Sequence, residues 1–151
     1  MAEWMIVASV ILLLVLAFGR QTRLLQGQAE QANIKTMLGV LRTALVLDHL
    51  HKVVANDTAA VALPQHNPFE LLQRYPGNYI GELSPQQAAL APGGTWVFDP
   101  ACVCVGYLPI WGEWLNSPSG DAMLWYRVTG VSGPLQLTAR EAYSWQGQVL
   151  D

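Results

Sequence analysis

Charge is scarce in this 151-residue chain: Lys, Arg, Asp and Glu together make up only 13% of it. The eight basic residues are scattered and the formal net charge is −3, so there is no electrostatic footprint for nucleic acid, and none is expected as a partner. Cysteine is limited to Cys102 and Cys104 and histidine to three positions, which is too few for a zinc-type ligand set at motif spacing. His49 and His51 would stand about 200° apart around a helix and do not converge on one ion. His66 falls in a loop, and Asp99, Asp121 and the segment 116–120 offer oxygens without forming a carboxylate cluster. No Gly-x-Ser-x-Gly elbow, phosphate-binding loop or recognisable Ser/His/Asp spacing occurs. An enzyme is therefore not expected, and neither a metal nor a cofactor is implied.

What the chain has in excess is apolar surface. Hydrophobic residues make up 52% of it, and much of the surplus lies in the first 18 positions. Glu3 is followed by Trp4, Met5, Ile6, Val7 and then Ile11, Leu12, Leu13, Leu14, Leu16 and Phe18, with no charge before Arg20. Trp4 to Phe18 would span roughly 22 Å as a helix, short for a bilayer core of about 30 Å. Arg20 and Arg23 extend the span by snorkelling, with Leu24 and Leu25 lengthening the apolar contact. A secretory signal would start basic and end on a small-residue cleavage site. This run starts acidic and has no such site after Phe18, which favours a retained membrane helix. A buried soluble helix is the other alternative, disfavoured by Glu3 and by apolarity all round from Met5 to Leu16.

No proline interrupts Arg20 to Ala55. Ile34, Met37, Leu38, Leu41, Leu45, Leu50, Val53 and Val54 recur near helical spacing, with Gln31, Lys35, Arg42, Asp48 and Lys52 between them. The reading is one long helix: residues 1–25 hydrophobic, 26–56 amphipathic, stopping at Asn56-Asp57. Gly19, Gly27 and Gly39 are its weak points or its points of close packing. Residues 57–94 form a connecting region with two short helices, one opening at Asn67-Pro68-Phe69-Glu70 and running to Tyr75, the other opening at Ser84-Pro85-Gln86-Gln87. Residues 95–151 switch to strand periodicity, at 95–99, 102–108, 123–129 and 135–138. Short connections imply an antiparallel sheet of about four strands, one face covered by the amphipathic part of the helix, an α+β fold. Cys102 and Cys104 would share a face within a strand, or bridge if the chain bends between them.

Glu3-Trp4-Met5-Ile6-Val7, opening a long hydrophobic helix, resembles the N-terminal signature of type IV pilins and type II secretion pseudopilins. Gly94-Thr95-Trp96-Val97-Phe98-Asp99, Gly106-Tyr107-Leu108-Pro109 and Trp125-Tyr126-Arg127-Val128 are similar to the aromatic blocks of pilin-like sheets. The resemblance implies a pilin-like α/β roll and a structural filament subunit, such as a minor pilin, with Glu3 as the assembly residue that neutralises the N-terminal amine of an adjacent subunit. It implies homologous subunits, an inner-membrane assembly platform and membrane lipid as partners, and a single-pass inner-membrane protein with a periplasmic head. Charge alone would put the Arg20 and Arg23 side in the cytoplasm; the family puts it outside, with a basic leader, cut after Gly, supplying the cytoplasmic charge. The chain departs from the family pattern at two points: Met1-Ala2 alone precede Glu3, and Arg20 stands where the family has a helix-kinking proline. The alternative is a single-pass accessory protein of such an assembly system that is not itself polymerised.

Overall fold

The computed structural model describes residues 2–55, 67–130 and 133–150. A single helix, α1, runs unbroken over Ala2–Val54, 53 residues or about 80 Å. It passes through Gly19, Gly27 and Gly39 without interruption. Packing of the second half on the sheet offsets the weak propensity at these sites. The expected stop at Asn56-Asp57 lies outside the described residues, as does His66.

Among the described residues eight strands follow: β1 Tyr79–Glu82, β2 Thr95–Asp99, β3 Cys104–Leu108, β4 Leu115–Asn116, β5 Leu124–Thr129, β6 Gln136–Ala139, β7 Ser144–Trp145 and β8 Gln148–Val149. The main sheet has the order β1-β2-β3-β5-β6, and a small second sheet has the order β4-β7-β8. The consecutive pairs β2–β3, β3–β5 and β5–β6 are antiparallel, as the short connections require. The sheet is nonetheless larger than four strands and mixed, because β1 adds parallel to β2. β1 also corrects the expected boundary at residue 95: the segment 57–94 contributes a strand. Gly81, at φ 111°, and a register irregularity between Tyr79 and Glu82 remove the alternation that would have announced it.

Two other elements differ from expectation. The helix expected from Pro68 to Tyr75 is a four-residue 3₁₀ turn, Pro68–Leu71, capped by the Asn67 side chain and left at an extended Leu72. Phe69 is drawn fully into the core, where it stacks on Tyr79 at 4.2 Å, and this contact prevails over local helix continuation. The second short helix, α2 Pro85–Ala88, carries the full capping box, with Ser84 and Gln87 exchanging hydrogen bonds.

The sheet buries both faces. Trp96, Phe98, Val105, Tyr107, Leu124, Tyr126, Val128 and Leu137 form the core with Ile34, Leu38, Leu41 and Leu45 of α1. On the reverse face, Val97, Cys104, Met123 and Trp125 pack with Ala88 of α2. Gly106 makes that second layer possible, since a Cβ there would stand 2.5 Å from the Trp125 ring. The α1 stripe is shorter than its periodicity suggested. Leu50, Val53 and Val54 are exposed rather than seated on the sheet.

A candidate assembly helix and its seat on the head

The four core positions Ile34, Leu38, Leu41 and Leu45 repeat at helical spacing, so one stripe of α1 is buried to 1% exposure or less. Each such side chain contributes roughly 1.5–3 kcal/mol by leaving water. Arg42 extends this seat, donating from Nε and Nη2 to the Leu137 carbonyl of β6.

The seat begins further toward the N-terminus than its apolar stripe, through polar groups. The Glu30 carboxylate is 6% exposed and accepts three hydrogen bonds. One comes from the Tyr107 hydroxyl at 2.8 Å, one from the Ile110 N–H at 2.7 Å and one from the Trp111 N–H at 3.0 Å. Burial, and then the neighbouring Glu30 carboxylate, push the Tyr107 phenol well above its ordinary pKa. One turn earlier, the Gly27 carbonyl accepts from the Trp145 indole N–H at 2.9 Å. The hairpin β7–β8 turns through Gln146 and Gly147, both at positive φ, as a two-residue hairpin turn demands. That turn brings Gln146 and Trp114 so close to Gly27 that a Cβ there would lie 2.7 Å and 3.0 Å from their side-chain nitrogens. Gln31 also faces Gln148 of β8, with 3.4 Å between their side-chain amides. Neither Glu30 nor Gln31 stood out in the sequence; polar residues in a polar stretch look solvated, and no periodic signal marks a buried carboxylate. Gly27 is a close-packing point, whereas Gly19 and Gly39 face open space.

N-terminal to Gly27 the helix leaves the head. All described side chains from Glu3 to Gln26 are exposed. Trp4, Met5, Ile6, Val7, Ile11, Leu12, Leu13, Leu14, Leu16 and Phe18 are each between half and four-fifths exposed. The best 18-residue window has a mean hydropathy of 2.0 and none of it is buried. This one helix is therefore long and apolar enough to cross a membrane by length and composition. Glu3 lies in its first turn, where a carboxylate is favoured by the helix dipole. The one ion pair among the described residues is Lys52–Asp48, so Glu3, Arg20 and Arg23 have no intrachain salt bridge there.

A groove of about 690 Å³ runs beside the seat, walled by Gln26, Asn33 and Thr36 of α1 and by Asn78, Ile110 and Trp111 of the head. Its floor is aromatic, Trp96 against Tyr107 at 4.6 Å.

The remaining candidates serve local structure. Cys102 and Cys104 are disulfide-bonded across the turn that leads into β3: Cys102 lies in the turn, Val103 has φ 54°, and Cys104 is the first residue of the strand. Asp99 accepts from the Ala101 N–H and Asp121 from the Met123 N–H, each closing a turn. Glu141 accepts from the Ser117 and Ser119 hydroxyls and the Ser119 N–H. The Ser117 hydroxyl, first among these donors, holds its carboxyl below the usual carboxylate range. No group of three or more potential metal ligands occurs among the described residues.

Comparison with known proteins adds no identity: no family model, curated protein or solved structure matches the chain.

Proposed function

We propose that this chain is a membrane-held structural subunit that assembles through the first half of α1 into a type IV pilus-like or pseudopilus-like filament. The observation that carries the proposal is the division of one continuous helix into two halves. From Glu3 to Gln26 every described side chain is exposed, while from Gly27 to Leu45 the helix is fastened to the head. An apolar surface of that extent on a water-soluble monomer would far exceed the few hundred Å² such proteins expose. Lipid before assembly, and the helices of neighbouring subunits after it, would both cover it. Glu3 at the membrane-entering end supports the same reading: a carboxylate among packed apolar helices is costly alone, and an adjacent amine offsets that cost.

The test is a photo-crosslinking residue at Leu13 in cells that express the chain with its assembly system. A ladder of adducts with itself or homologous subunits, lost on Glu3→Leu, is the expected result. Adducts to an assembly platform alone would favour the unpolymerised accessory protein. Release of the chain into the soluble fraction by alkaline carbonate would overturn the membrane reading altogether.

A further inference from the structure

We infer that Arg20 and Arg23 form a binding surface for acidic phospholipid headgroups at the foot of the head, so that the head rests on the membrane rather than standing off it. The inference rests on the membrane reading of α1.

The helix itself serves as a ruler. Trp4 lies about 24 Å along the axis from Arg20 and about 28 Å from Arg23. A hydrocarbon core of about 30 Å with Trp4 at one boundary puts both guanidinium groups at the other, in the headgroup layer. Both side chains are exposed, and they lie three residues apart, on one face of the helix. With no carboxylate paired to them among the described residues, their charge is free to meet lipid phosphate. No other charged residue lies between Glu3 and Glu30, and the Glu30 carboxylate is already enclosed by three donors.

The head begins almost at once. Gly27, its first contact, is about 6 Å beyond Arg23, less than the thickness of a headgroup layer. At that level the partly buried Trp114 indole packs beside Gly27. An indole one turn beyond two unpaired arginines matches the residue types that the membrane interface favours. Because Trp145 is hydrogen-bonded to α1 at Gly27 and Gln146 packs against the same point, this end of the head cannot swing away from the lipid surface without breaking its own seat.

Purified full-length protein in phosphatidylcholine vesicles containing one-fifth phosphatidylglycerol, probed with trace spin-labelled versions of each lipid, tests the inference. A motionally restricted lipid population reports insertion, and its composition reports headgroup choice. The wild type should restrict the acidic label in preference to the zwitterionic one. R20Q or R23Q should lower that preference by roughly fivefold, and the double variant by more, with insertion retained. K35Q removes the same charge about 18 Å further along the helix, beyond a Debye length, and should leave the preference unchanged. A restricted population with no acidic preference, or an equal loss in K35Q, overturns the headgroup surface alone. Absence of any restricted population overturns the membrane reading and this inference together.

Discussion

Glu30→Gln tests how the head is fixed to its helix. The two carboxylate oxygens have different partners: Oε1 accepts from the Tyr107 hydroxyl and the Ile110 N–H, and Oε2 from the Trp111 N–H at 3.0 Å. Glutamine can keep its carbonyl at the first position, which preserves two bonds. Its NH2 must then face the Trp111 N–H, donor against donor. Leaving one buried donor unsatisfied, and losing the charge on the other bonds, costs about 1–3 kcal/mol. Glu30→Ala orphans all three donors and should cost more, about 3–5 kcal/mol, since the adjoining groove admits some water. Tyr107→Phe removes one donor, leaves the carboxylate two N–H partners, and should cost the least of the three, about 1 kcal/mol. For a domain of this size, 1 kcal/mol lowers the melting temperature by roughly 2–4 °C. Thermal unfolding of the full chain in detergent micelles, followed by near-ultraviolet circular dichroism of the buried tryptophans, reads the series directly. A Glu30→Gln protein as stable as the wild type, or less stable than Glu30→Ala, would refute the account of a carboxylate clamped by three donors.

The helix glycines should respond in opposite directions. Gly39→Ala adds a methyl group where nothing lies within 4 Å and should stabilise by about 1 kcal/mol through helix propensity. Gly27→Ala forces the Gln146 and Trp114 side chains aside, and the same melting measurement should show a net loss. Gly106→Ala should be worse, about 1–3 kcal/mol, because its Cβ would enter the Trp125 ring. Stability should also fall at both extremes of pH. Tyr143 has its folded pKa raised to about 12 by burial, so its contribution is intact below pH 10 and is lost as pH rises from 10 toward 12. Tyr107 is raised as well and acts in the same direction. Glu141 has its folded pKa lowered, so its contribution is present above the ordinary carboxylate range and disappears as pH falls through the folded value. Melting curves of the wild type and Glu141→Gln between pH 3 and 7 should converge at the acid end.

The parts of the fold that could be read from sequence are those where one physical demand dominates. Ile34, Leu38, Leu41 and Leu45 announced a buried stripe because a helix on a sheet repeats its contacts every three to four residues. Strands β2, β3 and β5 announced themselves through aromatic and β-branched runs bounded by turn residues. Strand β1 did not, because Gly81 and an irregular register stand where alternation should be. The two-residue strands β4, β7 and β8 are too short to carry any period. The polar part of the seat, Glu30 and Gln31, is hidden for another reason. Its contacts are hydrogen bonds to phenol, backbone and side-chain amide, and nothing in a helix pattern separates a polar side chain that faces protein from one that faces water. What does read through is the apolar run of α1, exposed and long enough to cross a membrane, because that much grease with so little charge has few places to go.

The exposed end of α1 and the head are energetically separable. The buried packing and the described hydrogen bonds between α1 and the head start at Gly27, and no residue from Glu3 to Gln26 belongs to the core. Effects at sites that share no partner are close to additive. Substitutions from Glu3 to Arg23 should therefore leave the unfolding of the head unchanged, even when they abolish assembly or shift lipid preference. The reverse does not hold. Loosening Glu30 or Gly27 frees the head to reorient on its helix, so a stability defect there should carry an assembly defect with it. Loss of assembly in Glu3→Leu with an unchanged melting temperature would thus be a defect of association, whereas the same loss in Glu30→Ala would mix folding with association. Glu3 is the cleaner position at which to test the proposed assembly because the described fold makes no use of it.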